Sequence, residues 1–133
     1  MGGSGAYRLL YRWPDRFVAA IVVAGRVGPN LGRDAVAQQV DRTENPFLAE
    51  QNPFAALAGR IKPVPLWIFH SDADMTVSVE QSRQLVPALQ AAGAPVKYTE
   101  FAAASHEGTP QQAFADPSVL SWLLDQRRTA TGR

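Results

Sequence analysis

The sequence predicts an α/β fold, with about three parallel strands flanked by helices in an incomplete open sheet. Three observations carry that expectation. Two apolar runs, 17–24 (FVAAIVVA) and 65–69 (PLWIF), have the composition of strands buried on both faces of a parallel sheet. A third segment, 96–101 (VKYTEF), alternates as a strand does. Stretches of helical spacing lie before, between and after these segments, and alternation of this kind implies parallel strands joined by right-handed crossovers.

The elements follow in order. Residues 4–13 place Ala6, Leu9, Leu10 and Trp13 on one stripe, the i, i+3, i+4, i+7 pattern of a half-buried helix, and Pro14 stops it. The first strand covers 17–24. Residues 25–62 are irregular, with two Asn-Pro pairs that favour turns or helix starts. Short helices are expected there near 34–41 and 53–60. After the strand at 65–69, Ser78 offers a helix cap with Gln81 as the second half of a capping box. That helix runs to about Ala92, contains Pro87, and stops at Gly93. Asp116-Pro117 opens a last helix whose expected inner face is Val119, Leu120, Leu123 and Leu124. Residues 127–133 read as a tail. One domain accounts for all 133 residues.

Composition narrows the function classes. Apolar residues make up 46% and charged residues 19%, which is a globular balance. Thirteen basic against twelve acidic residues leave a charge of +1 without a basic patch, so no nucleic-acid or anionic-lipid partner is expected. The absence of cysteine excludes disulfides, thiolate metal sites and a cysteine nucleophile. No apolar run reaches the length of a membrane span and no signal pattern opens the chain, so a cytoplasmic location is expected.

In open α/β sheets the chemistry sits in loops that leave the carboxyl ends of strands. Two such loops carry acid–base residues here: HSDAD after the strand at 65–69, and AAASHEG after the strand at 96–101. Asp72 and Asp74 are both candidates for an acid partner of His106, and either is equally a turn-former bonding its own backbone. His70, at the end of an apolar strand, reads as a structural histidine satisfied by backbone groups. His70, Asp72, Asp74 and His106 match no standard metal-ligand spacing, and neither metal nor cofactor is expected. Trp13, Trp67 and Trp122 read as packing residues.

The stretch WIFHSDADMTVSVEQSRQLVPALQAAGAPVKYTEF resembles the strand, His-Gly, Asp, helix, strand pattern of the α/β-hydrolases. The ending ADPSVLSWLLDQRR and the opening MGGSGAYRLLYRWPDRFVAAIVVAG resemble the carboxylesterase and phospholipase-like esterase branch of that family. The resemblance covers most of the chain and is poorest over 25–62. It implies Asp74 as the triad acid, in preference to Asp72, and His106 as the triad base. Ser71 stands where the family usually has glycine, Ser78 where it has proline, and Ala-Ser-His replaces Gly-His.

That branch has the elbow Gly-x-Ser-Met-Gly-Gly, and this chain opens Met-Gly-Gly, which puts the elbow serine just before Met1. The resemblance therefore implies a truncated hydrolase, the C-terminal half of the fold. Gly2-Gly3-Ser4-Gly5-Ala6 loosely matches Gly-x-Ser-x-Ala, so Ser4 is a candidate substitute nucleophile, although its position equally suits a helix start. Ser71 and Ser105 are lesser candidates. The expected activity is hydrolysis of small short-chain esters through Asp74 and His106, with a serine of the chain or an activated water as nucleophile. The alternative is an inactive remnant acting as an interaction module. An uncovered sheet edge and apolar faces imply a homo-oligomer, an expectation that a stable monomer in gel filtration would overturn.

Overall fold

The computed structural model describes residues 2–28 and 46–127. Its elements are helix α1 (Gly2–Arg12), strand β1 (Ala20–Val23), helix α2 (Pro53–Ile61), strand β2 (Leu66–Ser71), helix α3 (Glu80–Ala91), strand β3 (Val96–Phe101), helix α4 (Gly108–Ala115) and helix α5 (Pro117–Asp125). Short 3-10 turns at Pro14–Arg16 and Pro46–Ala49 complete the order. The three strands form one parallel sheet in the order β1-β2-β3. In register, Ala20 faces Leu66, and Leu66 faces Val96. No helix among the described residues is long and apolar enough to cross a membrane.

All six residues of β2 are buried, because the strand is central and covered on both faces. Its side chains alternate between two cores, as the pleat requires. Leu66 and Ile68 join Tyr7, Leu10, Leu57, Ile61, Leu85 and Leu89 beneath α1, α2 and α3. Trp67 and Phe69 join Ala113 and Val119 beneath α4 and α5. Phe69 stacks on Trp67 and on Phe101 at centroid distances of 5.0 and 5.8 Å, and Trp122 meets Trp67 edge-on at 5.6 Å. β1 is shorter than the apolar run that announced it, and only Val22 of its four residues is fully buried. Among the described residues it pairs with β2 alone, so it is an outer strand rather than an inner one.

Several elements correct the sequence reading. α1 does not bury the stripe of Leu9, Leu10 and Trp13: Leu9 and Trp13 are 44% and 49% exposed, while Tyr7 and Leu10 are buried. The inward stripe is Tyr7 and Leu10, with the half-buried Gly3 one turn before them. A Cβ on Gly3 would lie 2.3 Å from the Val23 carbonyl oxygen, so only glycine lets the helix approach the end of β1 this closely. An apolar-pattern reading passes over a residue with no side chain. Trp13 is thus not a core residue, whereas Trp67 is. In α5, Val119 is buried and Trp122 is half-buried, but Leu120 and Leu124 face solvent. Asp116 caps this helix as expected, accepting from the Ser118 N–H at 2.9 Å.

α3 forms with Pro87 on its exposed face and ends before Gly93, whose φ of +80° needs glycine. Ser78 caps the start of α3 as expected, its hydroxyl accepting from the Glu80 N–H at 3.3 Å, but the Gln81 half of the capping box is used elsewhere. Gln81 is buried, and its side-chain oxygen accepts from the Val27 and Gly28 N–H groups at 2.9 and 2.8 Å, clipping the segment after β1 to the start of α3. The helix expected at 53–60 is α2, capped by Asn52, which accepts from the Ala55 N–H. The helix expected near 34–41 lies outside the described residues. α4 was not legible in the sequence: it has eight residues, two of them glutamine, and little apolar periodicity.

One core group is left unsatisfied. The Tyr7 hydroxyl is fully buried and finds no hydrogen-bond partner among the described residues. Burial raises its pKa, so it stays a neutral phenol. An unpaired buried hydroxyl is costly, and replacing it by hydrogen is nearly neutral or stabilising. Tyr7→Phe is therefore expected to raise stability by up to about 1 kcal/mol, read as a higher urea midpoint with an unchanged slope.

Candidate active site

The loop after β2 and the loop after β3 meet at the carboxyl end of the sheet. The link begins in the backbone: the Asp72 N–H donates to the Phe101 carbonyl at 3.1 Å, extending the β2–β3 ladder by one rung beyond the strand. The Asp72 carboxylate then accepts from the Ala103 N–H at 2.9 Å. Ala103 has a φ of +63°, a left-handed conformation uncommon for alanine, and the Asp72 bond holds it there. Asp72 thus joins the two loops but makes no contact with His106 given by the structure. Its part is architectural.

Asp74 is the carboxylate that His106 meets. His106 Nδ1 lies 2.7 Å from Asp74 Oδ2. An ionised carboxylate only accepts, so Nδ1 carries the proton, and the neutral ring presents Nε2 as its basic nitrogen. The other carboxylate oxygen, Oδ1, accepts from the Thr76 and Val77 N–H groups at 2.9 and 2.8 Å. The side chain of Asp74 is completely buried, that of His106 22% exposed.

Burial opposes ionisation of Asp74. The bonds from His106, Val77 and Thr76 together overcome it and hold the carboxyl below its usual pKa. Because the folded-state value is depressed, the stabilisation is full above the ordinary carboxylate pKa. It is lost as pH falls through the folded-state value. Urea midpoints measured from neutral pH down to about pH 3 are expected to fall less steeply for Asp74→Asn than for the native chain. Glu100, held at about 2 by Arg83 and Tyr98, titrates on the same limb, but it lies in a solvent-accessible ion cluster and contributes little.

Beside His106 is a cavity of about 280 Å³, lined also by Gly2, Gly3, Ile21, Val23, Ala24, Pro110 and Phe114. It lies between the first turn of α1, the end of β1 and the missed helix α4. Ser4 is on that first turn, one residue beyond the lining glycines. Its hydroxyl accepts from the Arg26 N–H at 2.9 Å, and no hydrogen bond joins it to His106. Ser71 is buried and accepts from the Ala73 N–H. Ser105 accepts from the Gly108 N–H, starting α4. His70 is completely buried and bonded to Ser82 and to the Val77 carbonyl. Among the described residues, no group of three or more His, Asp or Glu side chains could hold a metal ion.

A parallel sheet with a buried acid on one strand-end loop, a histidine on the next and a cavity lined by that histidine fits the α/β-hydrolase arrangement. The comparisons give the family. Residues 1–126 match the prolyl oligopeptidase family, and the chain belongs to it. Similar solved structures include a thermostable esterase, 26% identical with a TM-score of 0.69, over 94% of this chain and 28% of the esterase. Porphyromonas gingivalis dipeptidyl peptidase 4 is 18% identical with a TM-score of 0.72, over 94% of this chain and 18% of the peptidase. Pyrococcus horikoshii acylaminoacyl peptidase is 18% identical with a TM-score of 0.66, over 96% and 23% respectively. The chain therefore spans between 18% and 28% of the length of these relatives. No curated protein matches it. Together these findings give the chain the α/β-hydrolase fold and its family.

Proposed function

We propose that this chain carries the acid and base of a carboxylic-ester hydrolase acting on small short-chain esters. The observation that carries the reading is the 2.7 Å bond from His106 Nδ1 to a buried, ionised Asp74, beside a cavity lined by the start of α1. That bond fixes the tautomer. His106 Nε2 then takes the proton of an attacking hydroxyl as its oxygen adds to the ester carbonyl carbon. It returns the proton to the leaving alkoxide as the tetrahedral intermediate collapses, releasing an alcohol. Asp74 stays ionised throughout and stabilises the imidazolium.

The attacking hydroxyl belongs to a water in the cavity, which yields the acid directly, or to a serine of the chain, in which case the acyl group stays on the serine oxygen until a water deprotonated by Nε2 displaces it and releases the acid. Ser4 directly follows the lining glycines Gly2 and Gly3, and its hydroxyl oxygen, already accepting from Arg26, keeps its own proton to give. The higher identity to an esterase than to the peptidases, together with a small and largely apolar cavity, supports short acyl esters over peptides.

The test is turnover of a short-chain activated ester together with labelling by a serine-directed fluorophosphonate. Turnover with labelling, both lost in Ser4→Ala, supports a serine mechanism at Ser4. Turnover without labelling, retained in Ser4→Ala, supports activated water. Neither turnover nor labelling sinks the hydrolase reading and favours a non-catalytic assembly module, for which the exposed Leu9 and Trp13 of α1 offer an apolar contact.

A further inference from the structure

His70 is a buried histidine that the hydrolytic step does not use. Its ring is fully enclosed on the α3 face of β2, in line with Leu66 and Ile68. Three contacts define it. Nε2 lies 2.9 Å from the Val77 carbonyl oxygen, an acceptor, so Nε2 carries the proton. Nδ1 lies 2.7 Å from Ser82 Oγ on α3, and in the neutral ring it accepts the serine proton. Burial favours that neutral ring, outweighing the pull of the Val77 carbonyl and of Asp74 towards the charged form. The third contact is with the acid: Nε2 lies 3.4 Å from Asp74 Oδ2, the same oxygen that His106 Nδ1 reaches at 2.7 Å.

Val77 is used from both sides. Its N–H donates to Asp74 Oδ1 and its carbonyl accepts from His70, so the peptide units around it are pinned between the acid and the histidine. We propose that His70 is a positioning residue for Asp74: with its tautomer set by the Val77 carbonyl and its ring held by Ser82, it fixes the 74–77 turn so that one carboxylate oxygen is presented to His106. This assignment rests on the reading of Asp74 and His106 as the working pair. A phenylalanine would fill the same volume but leave the Val77 carbonyl unbonded and the turn free to shift. A glutamine carries an N–H that reaches roughly where Nε2 stands, and keeps the bond.

The readout is the His106 Nδ1 proton, followed by NMR in histidine-labelled protein at neutral pH, with folding checked by circular dichroism. In the native chain this proton is held by an ionic hydrogen bond and exchanges slowly. In His70→Phe it is expected to exchange at least about tenfold faster, the loss that goes with weakening one charge-assisted bond. In His70→Gln the native rate is expected to return. Native exchange in a folded His70→Phe overturns the proposal and leaves His70 a packing residue. If His70→Phe does not fold, Ser82→Ala decides: faster His106 exchange supports the assignment and an unchanged rate overturns it. Asp74→Asn separates this from the underlying pair. If the native proton is not protected, or Asp74→Asn leaves its protection intact, the pair itself fails rather than the role of His70.

Discussion

His106→Ala is expected to reduce ester turnover by about 10²–10⁴-fold, the usual contribution of a positioned general base. The expectation comes from the geometry on both sides of the ring. One nitrogen is committed to a buried carboxylate at 2.7 Å, and the residue lines a cavity that also touches the first turn of α1. Alanine removes the proton acceptor and leaves Asp74 buried with one fewer bond. The measurement is the initial rate on a short-chain activated ester, with the variant's fold checked independently. An unchanged rate would show that any hydrolysis occurs elsewhere on the chain. Restoration of the rate by added imidazole would locate the loss in the base itself.

The second large effect is on stability. Phe69→Ala is expected to cost about 3–5 kcal/mol, the range for deleting a fully buried aromatic side chain. Phe69 is 2% exposed and stacks between Trp67 and Phe101, at the centre of the core under α4 and α5. The two rings that stack on it, Trp67 and Phe101, lie on paired strands and cannot easily move into the space. Chemical denaturation should show the full loss. Its carbonyl also accepts from the Ala24 N–H beside the cavity, so a shift of β2 would be felt there too. A loss below about 1 kcal/mol would mean that this core is loosely packed.

Much of this was legible in the sequence. The strands at β2 and β3 announced themselves by apolar continuity and by alternation, and an acid partner for His106 on the preceding strand-end loop followed from their succession. What the sequence hid has definite physical causes. Choosing Asp74 over Asp72 needed a resemblance, since both sit in turn-forming positions. The structure gives them different work: Asp74 bonds His106, while Asp72 holds Ala103. The inward face of α1 was misread because its close contact runs through Gly3, which has no side chain to count. α4 escaped notice because a short, polar helix carries no periodic signal, although it helps to line the cavity. His70 was rightly expected to be structural, but its contact with the acid is a matter of three dimensions.

The clip made by Gln81 bears on how the molecule breathes. The Val27 and Gly28 amides lie in no helix or strand, yet both donate to a side chain anchored in the first turn of α3. These two bonds hold only while that turn is wound. A segment that its own backbone would leave free to open thus takes on the opening free energy of a helix more than fifty residues further along the chain. Loop and helix then unfold locally as one cooperative unit, and a fluctuation that unwinds the start of α3 releases the segment leaving β1 in the same event.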